Sequence, residues 1–473
     1  MSEVSRLLKR LEPYCLYICL LLQAGLLFWR LDLLPVWGDE QVTLDLCVRP
    51  LREIAAIVAR DVHPPLYYFL VHYWVQLPLS ADLIVTVRIF SCLWALATTV
   101  VLDRLWLRGD DRSRWRWRFL LLWALSPCAI LYGRMARSYT LQLFLGSLAL
   151  YWGLALLRDP RRRAAIGAYA IAGCLLFYTH YVPALAIVGA VSAMLGYKAL
   201  RSRESCLAAT APLAIMTVLY LPWLKVLGAA VESAMKEQPY SILPNPIWEQ
   251  MVRVAYLAFS FSFGETPSLA VLASSVVLAP VLVILLWRER REEWFPVVLI
   301  AGIIGYVAVT RVVSFAFTPA RLLFILPFYL MLLTKRTWTF AVLACLSVVS
   351  LHSYYLQENF LNKGYLLPFD QIADIIQQDS GIRPIQVRVE APGLDTTPLT
   401  RRLAAGTLPD PQRNAEIIWV LESRGVHSAP PGAHEVWRRQ FVRFSLLDHL
   451  AMKLVNWPIE PTFVLELTKY LRN

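Results

Sequence analysis

The chain has 473 residues, 58% of them hydrophobic and only 17% charged, with a mean hydropathy of +0.51. That composition excludes an ordinary soluble protein: the apolar residues recur in runs near the length, about 20 residues, that crosses a bilayer as helix. The net charge of +12 would suggest nucleic acid in a soluble chain, but here it gathers in short loops between apolar runs, and no basic-aromatic repeat supports nucleic-acid binding.

The chain reads as an all-α polytopic membrane protein of about 11 transmembrane helices. The expected spans are 14–31, 82–107, 119–134, 138–157, 164–179, 182–200, 206–227, 267–287, 294–311, 318–334 and 337–356. The first run is too long for a cleaved leader and lacks a small-x-small cleavage site. Eight cysteines lie mostly inside apolar runs, with no Cys-x-x-Cys, which excludes a disulfide scaffold.

Orientation follows the basic loops. With Arg6, Lys9 and Arg10 in the cytoplasm, the loops carrying Arg108 to Arg118, Arg158 to Arg163, Lys198 to Arg203, Arg288 to Arg291 and Lys335-Arg336 all fall on the same side. This holds only if the aromatic segment 66–79 does not cross; it is expected to lie in the interface. The outer side then receives the first loop 32–81, a long connection 228–266 broken by Pro239, Pro244 and Pro246, and everything after about 357. Within that connection, Ile247 to Phe263 suggests a second interfacial helix.

Two domains are expected: 1–356 in the membrane, and 357–473 as a small extracytoplasmic α/β domain. In the latter, 371–378 reads as helix, and 385–389, 416–421 and 440–444 read as strands.

Ionisable residues collect on the outer side. The first loop carries Trp37-Gly38-Asp39-Glu40 and, further on, Asp61-Val62-His63-Pro64-Pro65-Leu66-Tyr67-Tyr68. Asp39 and Glu40 suit general base work, and equally suit the first turn of an exposed helix. Arg88, Arg134, Arg137, His180, Lys225, Arg311 and Arg321 fall at outer span ends, against the positive-inside trend. Cations converging there suit a lipid phosphate, although a single span-end Arg also snorkels to headgroups. His63 and His180 could instead be turn-shaping and packing residues.

These residues occur in an order that resembles a known family. An Asp-Glu pair follows the first span, then Pro-Pro-Leu-Tyr-Tyr, an arginine early in span 2, Ala-Arg-Ser-Tyr, Tyr-Thr-His-Tyr, Tyr-Leu-Pro-Trp and a late Arg-Leu-Leu. The pattern, over about residues 10–360, is similar to the C-type (GT-C) glycosyltransferases that use polyprenyl-phosphate sugars. Within them it resembles bacterial relatives of the protein O-mannosyltransferases and the lipid A aminoarabinose transferases. Each motif is short, so the specificity lies in their order.

The resemblance implies a GT-C fold in the plasma (inner) membrane with its active site on the extracytoplasmic face. It implies inverting transfer of a sugar from a polyprenyl-phosphate donor to an acceptor hydroxyl on a lipid, glycan or protein. Asp39 is the expected general base, with Glu40 in support. Arg88, Arg137, His180, Arg321, Lys225 and His63 are candidates for donor phosphate or sugar, with Tyr139 and Tyr181 as hydrogen-bonding or stacking partners. The family admits a divalent metal, and Asp39, Glu40 and His63 offer a partial oxygen-rich site without a complete ligand set. A transporter or flippase of lipid-linked sugars would use the same cations, but no internal repeat is visible. A non-catalytic scaffold would tolerate Asp39→Asn.

Overall fold

The structure is a computed structural model, and it describes residues 12–60, 63–80, 82–108, 110–200, 203–237, 247–312, 318–380, 385–390, 396–405, 417–423, 429–441 and 465–472. Arg6, Lys9, Arg10, Asp61, Val62, Pro239, Pro244, Pro246 and residues 442–444 lie outside the described residues, as does the side chain of Arg311.

Among the described residues, six helices are long and apolar enough to cross a membrane: Leu83–Trp106, Tyr139–Arg158, Tyr181–Ala199, Ser205–Val226, Leu269–Arg288 and Thr337–Tyr355. Four shorter apolar helices, Glu12–Phe28, Arg163–Phe177, Phe295–Thr310 and Pro319–Thr334, coincide with four further expected spans. The stretch expected as one span over 119–134 is two helices, Asp110–Ala124 and Pro127–Gly133. Pro127 cannot continue a helix but suits a first helical position, and the Ser126 hydroxyl before it accepts the Ala129 N–H at 3.3 Å.

The helix Leu66–Trp74 has nine residues, about 14 Å of rise, too short to cross the hydrocarbon. It is tied down at its far end, where His72 Nδ1 donates to Cys47 O at 2.9 Å and Trp74 Nε1 to Thr86 O at 2.8 Å. The helix Ile247–Phe263 also forms where a second interfacial helix is expected. The first loop holds two helices, Gly38–Cys47, whose first turn carries Asp39 and Glu40, and Leu51–Arg60, which was not expected. The latter buries Ile54, Val58 and Ala59 and packs on the helix Arg203–Glu237.

The chain forms two compact units. The first comprises Met1–Leu31, Leu44–Gly264 and Val271–Ser350. Its hub is Tyr139–Arg158, which packs against Leu83–Val101, Arg163–Phe177, Tyr181–Ala199 and the turn Pro319–Ile325. Glycine lets these helices close up: a Cβ on Gly153 would meet Val191 Cγ2 at 2.8 Å.

The second unit comprises Asp32–Thr43, Glu265–Ala270 and Leu351–Asn473. It carries a four-stranded sheet of order β1-β2-β4-β3, with β1 Ile385–Glu390, β2 Ile417–Ser423, β3 Ala433–Phe441 and β4 Leu465–Arg472. β1 and β2 are parallel, joined through the helix Thr397–Ala405, while β4 is antiparallel to both β2 and β3. One face buries Ile417, Trp419, Leu421, Leu465 and Leu467 under Ile372 and Ile376 of the helix Phe369–Ser380 and Leu399 and Leu403 of Thr397–Ala405. β3 includes Gln440 and Phe441 of the strand expected over 440–444 and begins before it, and β4 was not expected.

Candidate functional site

In the first unit, short polar contacts bring four separate sequence motifs together. Pro64 and Pro65 turn the chain after the helix Leu51–Arg60, where the His63 N–H donates to Val58 O at 2.8 Å. Three residues on, the Leu66 N–H donates to Tyr178 O at 2.9 Å, pinning this segment to the turn that ends in His180. Arg137 is buried and its Nη1 donates to Tyr68 Oη at 3.2 Å. Ser91 binds on both sides of this region: its hydroxyl donates to Arg137 O at 3.4 Å and pairs with the Tyr67 hydroxyl at 3.3 Å. The turn bearing Arg321 is held to the start of the hub helix, since Gln142 Nε2 donates to Ala320 O at 2.9 Å.

His180 stands at the centre of this convergence. Its pKa is pushed down from the ordinary 6.5 to about 3, first by desolvation and then by the positive charge of His63, Arg321 and Arg137. It is therefore a neutral imidazole at physiological pH. Its Nδ1 accepts the Val182 N–H at 3.3 Å, capping the helix Tyr181–Ala199, so the proton rides on Nε2. The group thus offers one N–H donor among cations, an arrangement suited to the oxygens of a phosphate or sugar.

Arg88 and Arg134 form a different group. Arg88 Nη1 donates to Leu31 O at 3.0 Å; Arg134 Nη1 donates to Leu26 O at 3.4 Å and its Nη2 to Arg30 O. These carbonyls belong to the C-terminal end of the first span's helix, where Arg30 adopts the left-handed φ of 48°. A helix end leaves carbonyls without intrahelical partners, and two buried guanidiniums satisfy them here. Arg88 thus has a structural task that its position in the sequence did not reveal.

The remaining candidates are dispersed. Tyr181 Oη accepts Trp223 Nε1–H at 2.8 Å, linking the Tyr-Thr-His-Tyr and Tyr-Leu-Pro-Trp motifs. Tyr139 is buried edge-on to Tyr132, with ring centroids 5.5 Å apart. Lys225 is exposed on the helix Arg203–Glu237.

Asp39 and Glu40 belong to the second unit. They occupy the first turn of the helix Gly38–Cys47, where the helix dipole favours carboxylates. The turn closes on Trp37 O, which accepts the Glu40 and Gln41 N–H groups at 2.9 and 3.0 Å. Glu40 is buried whereas Asp39 keeps accessible surface, so Asp39 is the member of the pair able to meet a substrate. The Trp37 ring packs edge-on against Tyr365, with centroids 5.1 Å apart. Among the described residues no three His, Cys, Asp or Glu side chains are grouped so as to hold a metal ion.

Sequence reasoning missed Tyr68, the partner of Arg137, although it lies in a motif already singled out. It also missed Gln357, whose Nε2 donates to Leu33 O, and Tyr365. No local pattern marks either one.

No protein-family model matches the chain, and no curated protein matches it. Solved structures do. ArnT from Cupriavidus metallidurans in the apo state superposes with a TM-score of 0.53 at 11% identity, covering 96% of this chain and 97% of that one. The chain therefore shares the fold of ArnT. ArnT bound to undecaprenyl phosphate superposes with a TM-score of 0.51 at 13% identity, over the same shares of both chains. Because the match spans nearly all of ArnT, both units of this chain have counterparts there.

Proposed function

We propose that the protein is a membrane glycosyltransferase that moves a sugar from a polyprenyl-phosphate donor to an acceptor hydroxyl, with inversion. The observation that carries this reading is the hydrogen-bonded convergence of the segments bearing Tyr68, Arg137 and His180, in a fold shared with a protein bound to undecaprenyl phosphate.

In the proposed reaction, Asp39 takes the proton of the acceptor hydroxyl as its oxygen attacks the anomeric carbon. The bond from that carbon to the phosphate oxygen breaks, and the polyprenyl phosphate leaves with the electron pair. Arg137 and Arg321 offset the developing charge, and His180 Nε2–H donates to a phosphate or sugar oxygen. Glu40 steadies the acidic turn from its buried position, and Tyr181 lies beside the His180 cap as a hydrogen-bonding partner. Arg88 supports the site indirectly, through the end of the first span. The positive-inside pattern of the loops supports an extracytoplasmic location, at the plasma membrane, for this chemistry.

The test is mass spectrometry of envelope glycans from cells lacking the protein, complemented with wild type or Asp39→Asn at matched membrane levels. Restoration of one sugar mass by wild type alone supports the reading. Equal restoration by both removes Asp39 as the base and with it this mechanism.

A further inference from the structure

The segment that follows the last span in the second unit makes two direct contacts with the acidic turn. The helix Thr337–Tyr355 ends and the chain passes through Gln357 and Asn359, both in the left-handed region, at φ 59° and 57°. Non-glycine residues rarely adopt that conformation, and here it turns Gln357 so that its Nε2 donates to Leu33 O, on the approach to the acidic step. Further on, Asn362 Oδ1 accepts the Gly364 N–H at 3.0 Å and sets the turn Lys363–Leu366. That turn buries Tyr365, whose ring meets Trp37 edge-on. Tyr365 is backed in turn by Phe360 at 6.5 Å, and Phe360 by Tyr354 at 5.7 Å.

The contact falls on the residue that sets the direction of the carboxylates. Trp37 O accepts the Glu40 and Gln41 N–H groups in the first turn of the helix that begins Gly38-Asp39-Glu40. Any rotation of Trp37 therefore rotates the start of that helix and the Asp39 side chain with it. Leu33 and Trp37 bracket Pro35, so the approach is fixed at both ends.

We infer that Gln357 and Tyr365 are positioning residues, which hold Leu33 and Trp37 so that the Asp39 carboxylate faces the acceptor hydroxyl. The inference rests on the proposed role of Asp39 and extends it to two residues outside every motif. A reacting group displaced by about 1 Å can cost on the order of a hundredfold in rate, so a clamp on the turn acts on turnover and leaves donor binding alone.

The test uses purified full-length protein in nanodiscs, supplied with the lipid-linked sugar fraction and acceptor fraction of cells lacking the protein. Donor consumption gives the maximal rate and half-saturating concentration, and native mass spectrometry gives undecaprenyl phosphate binding. Gln357→Ala and Tyr365→Leu are expected to lower the maximal rate by about 10- to 100-fold, with the half-saturating concentration and undecaprenyl phosphate binding unchanged. Tyr365→Phe, which keeps the ring edge, is expected to retain the rate. Trp37→Leu combined with Tyr365→Leu is expected to cost no more than the worse single variant, since both break one contact. Wild-type rates in Gln357→Ala and Tyr365→Leu, with Asp39→Asn inactive, would overturn the inference and leave the reading of Asp39 standing. Loss of lipid binding in step with rate would also overturn it, since the segment would then be merely structural. Gln357→Ala removes one donor only and carries the test if Tyr365→Leu does not fold. Full activity in Asp39→Asn would remove both the reading and the inference.

Discussion

The Leu66 N–H donates to Tyr178 O at 2.9 Å, joining the first loop to the turn that presents His180. One backbone hydrogen bond thus sets the distance between two motifs far apart in sequence. Beside it, Tyr68 reaches Arg137, and the charges of Arg137 and Arg321 act on one imidazole. The grouping suits an anion.

Arg137 and Arg321 should bind the donor phosphate, whereas Arg134 should hold the first span. A charge-assisted hydrogen bond contributes about 1.5–3 kcal/mol, so Arg137→Ala or Arg321→Ala should weaken undecaprenyl phosphate binding by roughly 10- to 150-fold. Arg134→Ala should instead lower the melting temperature, because it strips donors from the carbonyls of Leu26 and Arg30. Native mass spectrometry and a melting scan of each variant separate the two roles. A phosphate affinity unchanged in both Arg137→Ala and Arg321→Ala would contradict the first assignment.

His180 gives a pH dependence with a definite sign. Its folded pKa, about 3, lies below the ordinary 6.5, so the unfolded chain binds more protons across that window. The stability due to the neutral imidazole is present above about pH 6.5 and falls as pH drops toward 3. His180→Asn keeps a helix cap and removes the titration. The expected outcome is a flatter melting temperature against pH from 6.5 downward, and parallel curves for variant and wild type would refute it.

Gly264 ends the helix Ile247–Phe263 at φ 79°, and its N–H donates to Ser260 O at 2.8 Å. A Cβ there would lie 2.4 Å from Pro127 Cβ, at the start of the second helix of the divided stretch. Gly264→Ala combines a disfavoured φ with a clash and should cost about 1–3 kcal/mol, visible as a melting temperature several degrees lower. An unchanged value would mean that these helices separate freely.

Removal of residues 465–473 should unfold the second unit. β4 is an inner strand, paired on one side with β2 and on the other with β3. Its Leu465 and Leu467 are fully buried, worth about 3–6 kcal/mol of transfer free energy together. The truncated protein should show rapid proteolysis of the region after 351, and resistance equal to wild type would contradict this.

Much of the fold was legible because bilayer length and loop charge are strong signals. Ten of the expected spans coincide with apolar helices, and Leu66–Trp74 is too short to cross. The division at Ser126-Pro127 went unread because the apolar run continues through it, although the proline was in view. β4 was missed because its alternation is interrupted by Lys469 and Tyr470, which partner Trp419 and Ile418 of β2 across the strands. At the site, the order of short motifs pointed to His63, Arg137, His180 and Arg321. It could not distinguish Arg137 from Arg88, since both are arginines at outer span ends. Their partners separate them: Arg88 faces the Leu31 carbonyl and Arg137 the Tyr68 hydroxyl.

The most direct measurement follows the donor itself. Wild type and Asp39→Asn, purified in nanodiscs, would receive the lipid-linked sugar fraction and acceptor fraction from cells lacking the protein. Mass spectrometry would follow the loss of polyprenyl-phosphate sugar and the appearance of undecaprenyl phosphate. The account predicts that wild type consumes the donor and forms a glycosylated acceptor, while Asp39→Asn binds undecaprenyl phosphate as wild type does and transfers nothing. Donor left intact by wild type, or equal transfer by both proteins, would contradict it.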